Sequence, residues 1–154
     1  MGEFETDLKR GKQGETAIAA TLAARGNILT DVSGEYEYQR KDIDFIVSNG
    51  DKQTTLEVKT DYKSEITGNL FIETYNTANE SRNGNGWYTY CQAQYMAFVQ
   101  LNKRQAHIIA FDEMKSLIDG NKYRVANTYN TSGYLLPIGE IKKMPSYQYI
   151  ELLN

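Results

Sequence analysis

The stretch Asp42–Asp61, DIDFIVSNGDKQTTLEVKTD, constrains the fold more than any other part of the chain. It reads as two β-strands turned back on each other at Asn49-Gly50, a dipeptide suited to tight hairpins. Over Asp42–Ser48, Ile43, Phe45 and Val47 alternate with Asp44, Ile46 and Ser48. Successive side chains of a strand point to opposite faces, so the alternation predicts a strand with two distinct sides. The polar residues after Gly50 predict a loop slightly longer than the minimal hairpin. Thr54–Thr60 is the return strand, with Leu56 and Val58 on one face and Thr55, Glu57 and Lys59 on the other. Glu57 and Lys59 therefore project from the same side of one strand.

The flanking chain supplies partners for this hairpin. Phe4 to about Arg25 has helical spacing, with Leu8, Ile18 and Leu22 on one stripe and Gly26-Asn27 as the stop. Glu15 lies on that stripe, three residues before Ile18. A carboxylate facing the core needs a partner. It either reaches solvent from the stripe's margin or points at a metal site or a basic group. A first strand is expected around Glu35–Gln39 and a fourth at Leu70–Thr74. The polar stretch Asn76–Gly86 reads as a mobile surface loop, and Trp87–Gln94 as a short helix. Tyr95–Leu101 and Gln105–Phe111 read as a strand pair, and Asp112 as the cap of a helix over Glu113–Ile118. The remainder is less regular, with a strand around Tyr134–Leu136, a helical turn near Gly139–Lys143 and a last strand at Tyr147–Leu152.

At 154 residues the expectation is one domain over 1–154, with a core that needs no disulfide. The single cysteine, Cys91, and single histidine, His107, exclude zinc clusters built on thiolates or several imidazoles. A metal would have to be held by carboxylates, backbone oxygens and water, which favours magnesium, manganese or calcium. His107 alternates with apolar neighbours and reads as structural. The net charge of −3 argues against nucleic-acid binding by bulk charge alone. No apolar run reaches membrane-spanning length, and MGEFETDLKRGK lacks a signal-peptide core, so a cytoplasmic protein without membrane association is expected.

Two carboxylates and a lysine on neighbouring strands can do phosphodiester chemistry. Asp44 and Glu57 can ligate a hard cation, and the Val58 carbonyl between Glu57 and Lys59 could add a third ligand. Lys59 can orient or deprotonate water, or stabilise charge developing on a phosphate. The order Asp44, then Glu57-Val58-Lys59, resembles the PD-(D/E)XK phosphodiesterase superfamily, which includes restriction enzymes and Holliday-junction resolvases. The resemblance runs from the Glu15 helix to about Thr74, and departs from the pattern in having Ile43, not proline, before Asp44.

The resemblance implies a restriction-endonuclease-like α/β fold, a central mixed β-sheet flanked by helices. It implies a Mg2+- or Mn2+-dependent nuclease acting on DNA, structure-selective in recombination or repair. Asp44 and Glu57 would bind the metal, Lys59 would handle water or phosphate, and Glu15 would support them. Such enzymes often pair as homodimers to cut two strands. By their position flanking the two strands, Arg40, Lys41 and Lys63 either contact phosphates or are ordinary solubilising surface charges. Asp42 shares the face of Asp44 and is a second choice as ligand. Glu73 would approach the metal or position a lysine, or be a solvated strand end. Competing readings are a solvent-facing Glu–Lys pair on a hairpin edge, an RNA-directed nuclease, and a non-catalytic nucleic-acid-binding or protein-interaction module on the same scaffold.

Overall fold

The computed structural model of the protein describes residues 2–153. The chain begins with helix α1 (Glu3–Ala24), strand β1 (Ile28–Asp31) and the helical turn α2 (Tyr36–Gln39). The hairpin follows as β2 (Phe45–Asn49) and β3 (Lys52–Thr60). Next come α3 (Lys63–Thr67), β4 (Asn69–Asn76), a 3-10 turn at Glu80–Arg82 and α4 (Trp87–Tyr90). The second half holds β5 (Tyr95–Gln100), β6 (Gln105–Ala110), α5 (Phe111–Asp119), β7 (Val125–Asn127), β8 (Thr131–Pro137), α6 (Ile138–Ile141) and β9 (Gln148–Glu151).

The architecture is mixed α/β. A six-stranded sheet runs β1-β2-β3-β5-β6-β9, and a three-stranded sheet runs β4-β8-β7. In the larger sheet β3 and β5 are parallel, and the other neighbours are antiparallel. Parallel neighbours need a long crossover; here it carries α3, β4 and α4. Among the described residues no helix is long and apolar enough to cross a membrane.

Strand alternation divides the interior into two cores. Phe45, Leu56, Val58, Ala97 and Val99 pack with Ile18 of α1 on one face. On the other face Met96, Phe98 and Ile109 pack with Trp87, Phe111, Met114, Leu70, Ile72 and Leu136, so helices and the smaller sheet cover it. The register pairs Glu57 with Met96 and Lys59 with Phe98. Glu57 and Lys59 thus emerge on the Met96/Phe98 face, directed into an apolar layer instead of water. The Glu–Lys pair is not a solvent-facing hairpin edge. At the same end of β3, α1 approaches so closely that a Cβ on Gly14 would overlap the Thr60 hydroxyl.

Several expectations need correction. Glu35–Gln39 is not a strand: Tyr36–Gln39 forms α2, and β1 at Ile28–Asp31 takes the place beside β2. Leu8 is 60% exposed, so the buried stripe of α1 begins further along the helix. The hairpin loop is the minimal Gly50-Asp51, since Asn49 pairs with Lys52; Gly50 supplies the required positive φ of 62°. Ile43 belongs to the core of Met96 and Phe98, not to that of Phe45. The regular strand begins only at Phe45, so its alternation does not extend back to Ile43, and Asp42 just before it has a left-handed φ of 56°. α5 starts at Phe111 with Ala110 at its cap position, which leaves Asp112 in the first turn. Trp87–Tyr90 alone is helical in the segment expected to run to Gln94.

Candidate active site

Asp44 lies one residue before β2, tied into the ladder at both ends of its peptide. Its N–H donates to Leu56 O at 3.0 Å, and its carbonyl accepts from Val32 N at 2.9 Å. Phe45 pairs with Leu56, so the same register sets Asp44 opposite Glu57. Directly opposite residues in an antiparallel pair share a face. Their carboxylates accordingly meet: Val58 N–H donates to Asp44 Oδ2 at 2.9 Å and lies 3.1 Å from Glu57 Oε1. A strand residue's N–H and C=O point the same way, so the Val58 carbonyl also faces the β2 side.

Glu15 approaches this pair from α1, near enough to Asp44 for the two carboxyls to influence each other. Burial, then the Asp44 charge, pushes the Glu15 carboxyl up to about 7 against a weaker opposing pull from Lys12. The Lys12 Nζ lies 3.8 Å from Glu15 Oε2. Glu57 is 4% exposed. Its burial raises its pKa far above the carboxylate range, with Lys59 opposing and the Asp44 and Asp42 carboxyls reinforcing the rise. Like charges crowded in a desolvated place hold protons unless a cation is supplied.

The donor set fits a hard cation in one specific way. Among the described residues no group of three or more His, Cys, Asp or Glu side chains is arranged as a ligand cage. Two buried carboxylates converging on one peptide are what magnesium commonly uses, with water and substrate oxygens completing its shell. The oxygen chemistry and the excess negative charge suit Mg2+ or Mn2+.

Lys59 completes the group. Its Nζ lies 3.0 Å from Asp42 Oδ2 and 5.3 Å over the Trp87 ring. Burial by itself would lower the Lys59 pKa, but the Glu57 and Asp42 carboxylates outweigh it and hold the value above the ordinary range. Lys59 is therefore an ammonium at neutral pH. Glu73 of β4 also belongs to this neighbourhood. Burial raises its pKa, opposed by Asn76, Lys59 and the Trp87 backbone. Its Oε2 accepts from Asn76 Nδ2 at 3.2 Å.

The basic residues expected to touch substrate are less gathered. Arg40 and Lys63 are exposed, and Lys41 pairs with Glu37 at 3.7 Å. Sequence reasoning missed Arg82. Its guanidinium lies 4.1 Å over the Tyr90 ring and donates to the Arg40 carbonyl. Tyr90 in turn is close enough to Asp42, Lys59 and Glu73 to feel their charges. Nothing in the polar loop around Arg82 signals this, because the contact joins segments 42 residues apart. His107 is buried between Tyr147 and Gln100, as a structural residue would be.

Comparison with known proteins bears on the fold. Among solved structures, a bacterial homing endonuclease, I-Ssp6803I, is similar to this chain with a TM-score of 0.55. The match covers 94% of this chain and 85% of that chain at 16% sequence identity. At that identity the likeness is one of fold. No protein-family model matches the chain, and no curated protein matches it.

Proposed function

We propose that this chain is a metal-dependent deoxyribonuclease of the PD-(D/E)XK type, cutting DNA as an endonuclease. The observation that carries the reading is the convergence of Asp44 and Glu57 on the Val58 N–H, with Glu15 against Asp44. Likeness of fold to a homing endonuclease supports DNA over RNA and an internal cut over an end-directed one.

In this reading Asp44 and Glu57, with the Val58 carbonyl, hold Mg2+ or Mn2+ at the open end of the hairpin. When bound, the ion would polarise the scissile phosphate and favour an attacking water. Glu15 would accept a hydrogen bond from that water or steady the Asp44 carboxylate. Lys59, kept charged by its carboxylate neighbours, would donate to a phosphate oxygen and stabilise charge developing there. A lysine held as an ammonium has no lone pair with which to take a proton, so this role is favoured over that of base. Arg82, Arg40, Lys41 and Lys63 would meet flanking phosphates and set register without reading bases. Pairing of two chains would present one site to each strand, as branch-directed or double-strand cutting in recombination or repair requires.

The test is cleavage of supercoiled plasmid, single-stranded and four-way-branched DNA, and matching RNA, with Mg2+, Mn2+ or EDTA. Manganese binding by calorimetry and sedimentation of the free chain accompany it. The expected result is metal-dependent nicking of DNA by the wild type, abolished in Asp44→Asn and Glu57→Gln. Failure to cut any substrate, together with no metal binding, would replace this reading with a non-catalytic module on the same fold.

A further inference from the structure

We propose that Asp42 is the positioning residue of the site: its carboxylate fixes the Lys59 ammonium beside Asp44 and Glu57 and takes no part in binding metal. This deepens the nuclease reading and rests on it for its catalytic consequence, though not for the contact itself.

Three independent features point to that role. The first is the backbone. Asp42 has φ 56°, a conformation that L-residues other than Asn and Asp seldom adopt. It is pinned from several sides. Asp42 N–H donates to Gln39 O at 3.1 Å, Ile43 N–H to Tyr38 O at 3.1 Å, and Gln92 N–H to Lys41 O at 2.9 Å. The Cys91 thiol points at the Asp42 carbonyl from 3.5 Å. Asp42 lies before the regular strand, which starts at Phe45, so it does not follow the face pattern of that strand, and its carboxylate meets Lys59.

The second feature is the carboxylate. Asp42 Oδ2 is buried and, among the described residues, lacks any well-aligned hydrogen-bond donor. Its near cation is Lys59 Nζ at 3.0 Å. A buried carboxylate oxygen held by one ion pair is a poor source of stability, because desolvation offsets the attraction. Its presence is better explained by what it does to the lysine.

The third is the lysine. A Lys side chain has four rotatable bonds and loses much rotamer freedom when fixed. Here it is bounded on one side by Asp42 and on another by the Trp87 ring at 5.3 Å. Glu57, two residues earlier on the same face, sets the position that the ammonium must keep relative to the metal-binding pair. Without Asp42, the ammonium would lose its fixed place beside the metal-binding pair and sample positions from which it no longer reaches a bound phosphate.

The experiment uses Asp42→Asn and Asp42→Gly, both of which tolerate the left-handed backbone, with Lys59→Arg to assign the Lys59 signal. The lysine ammonium groups are observed by 1H–15N NMR, where only a held, exchange-protected ammonium is visible. The wild type should show the Lys59 signal, and both Asp42 variants should lose it while melting within a few degrees of the wild type. Manganese affinity and DNA affinity should stay within about twofold, while the single-turnover cleavage rate falls roughly 10- to 100-fold, as for a displaced catalytic group. A signal absent from the wild type, or retained in Asp42→Asn, overturns the proposal. So does a tenfold loss of manganese affinity, which would make Asp42 a metal ligand. If the wild type cuts no nucleic acid, the nuclease reading fails by itself, and the NMR result still decides whether Asp42 holds Lys59.

Discussion

Replacing Glu15 by Gln should stabilise the protein at alkaline pH and leave it unchanged in acid. The Glu15 carboxyl is carried by α1 against Asp44, and burial with the Asp44 charge raises it from 4.5 to about 7. Between those values the folded protein binds a proton that the unfolded chain has already lost. Stability from this group is therefore complete below pH 4.5, declines as pH rises through 7, and stays reduced above it. At about 1.4 kcal/mol per pH unit the penalty has a ceiling of about 3 kcal/mol. The side chain is 23% exposed, and solvent screening there reduces the expected effect to about 1–2 kcal/mol. Glutamine keeps the shape and hydrogen-bonding capacity without the charge. Glu15→Gln should thus melt roughly 2–8 °C above the wild type at pH 8 in EDTA, with the two coinciding at pH 4. Scanning calorimetry or circular dichroism across pH 4–8 measures it. Equal melting at pH 8, or a difference independent of pH, would refute the claim that Glu15 is crowded by the other carboxyls. A cation bound at Asp44 and Glu57 should shrink the difference, because it supplies the missing positive charge.

Ile18→Ala should cost about 2–5 kcal/mol in urea unfolding, since Ile18 is fully buried in the core between α1 and the sheet. Gly86→Ala should destabilise by about 1–3 kcal/mol, because its Cβ would lie 2.5 Å from the Glu73 carbonyl oxygen although its own φ of −83° suits any residue; loss of Lys59 organisation through Trp87 should accompany it in cleavage assays. Burial, helped by Lys142 and Lys103, lowers the His107 pKa to about 4. The unfolded chain therefore binds the extra proton first, and the wild type's urea midpoint should fall between pH 6.5 and 4 relative to that of His107→Gln; parallel midpoints would refute this.

Much of the candidate site is legible in the sequence, because it depends on local rules. Alternation along Thr54–Thr60 requires Glu57 and Lys59 to share a face whatever the strand pairs with. Asn49-Gly50 marks the turn, and the turn implies the antiparallel partner on which Asp44 lies. Helical spacing places Glu15 on the same stripe as Ile18. The scarcity of histidine and cysteine limits a metal to oxygen ligands. The strand pair β5–β6 is likewise visible in its own composition.

What only the tertiary structure decided involves partners distant along the chain. Ile28–Asp31 and Glu35–Gln39 both have strand-like residues, but β2 has one free edge beside β3; β1 occupies it, and Tyr36–Gln39 closes on itself as a helical turn. Leu8 keeps helical spacing with Ile18, yet burial needs an opposing surface, and the sheet meets α1 further along. The two-residue loop at Gly50 follows from the register of β2 on β3, not from the polarity of what comes after. Asp42 shows the limit most clearly. Periodicity puts it beside Asp44, whereas backbone hydrogen bonds from α2 and the Cys91–Gln92 segment force it left-handed and hand its carboxylate to Lys59. Local sequence sets which way a side chain points from a regular strand; only the packed chain determines where the regular strand stops.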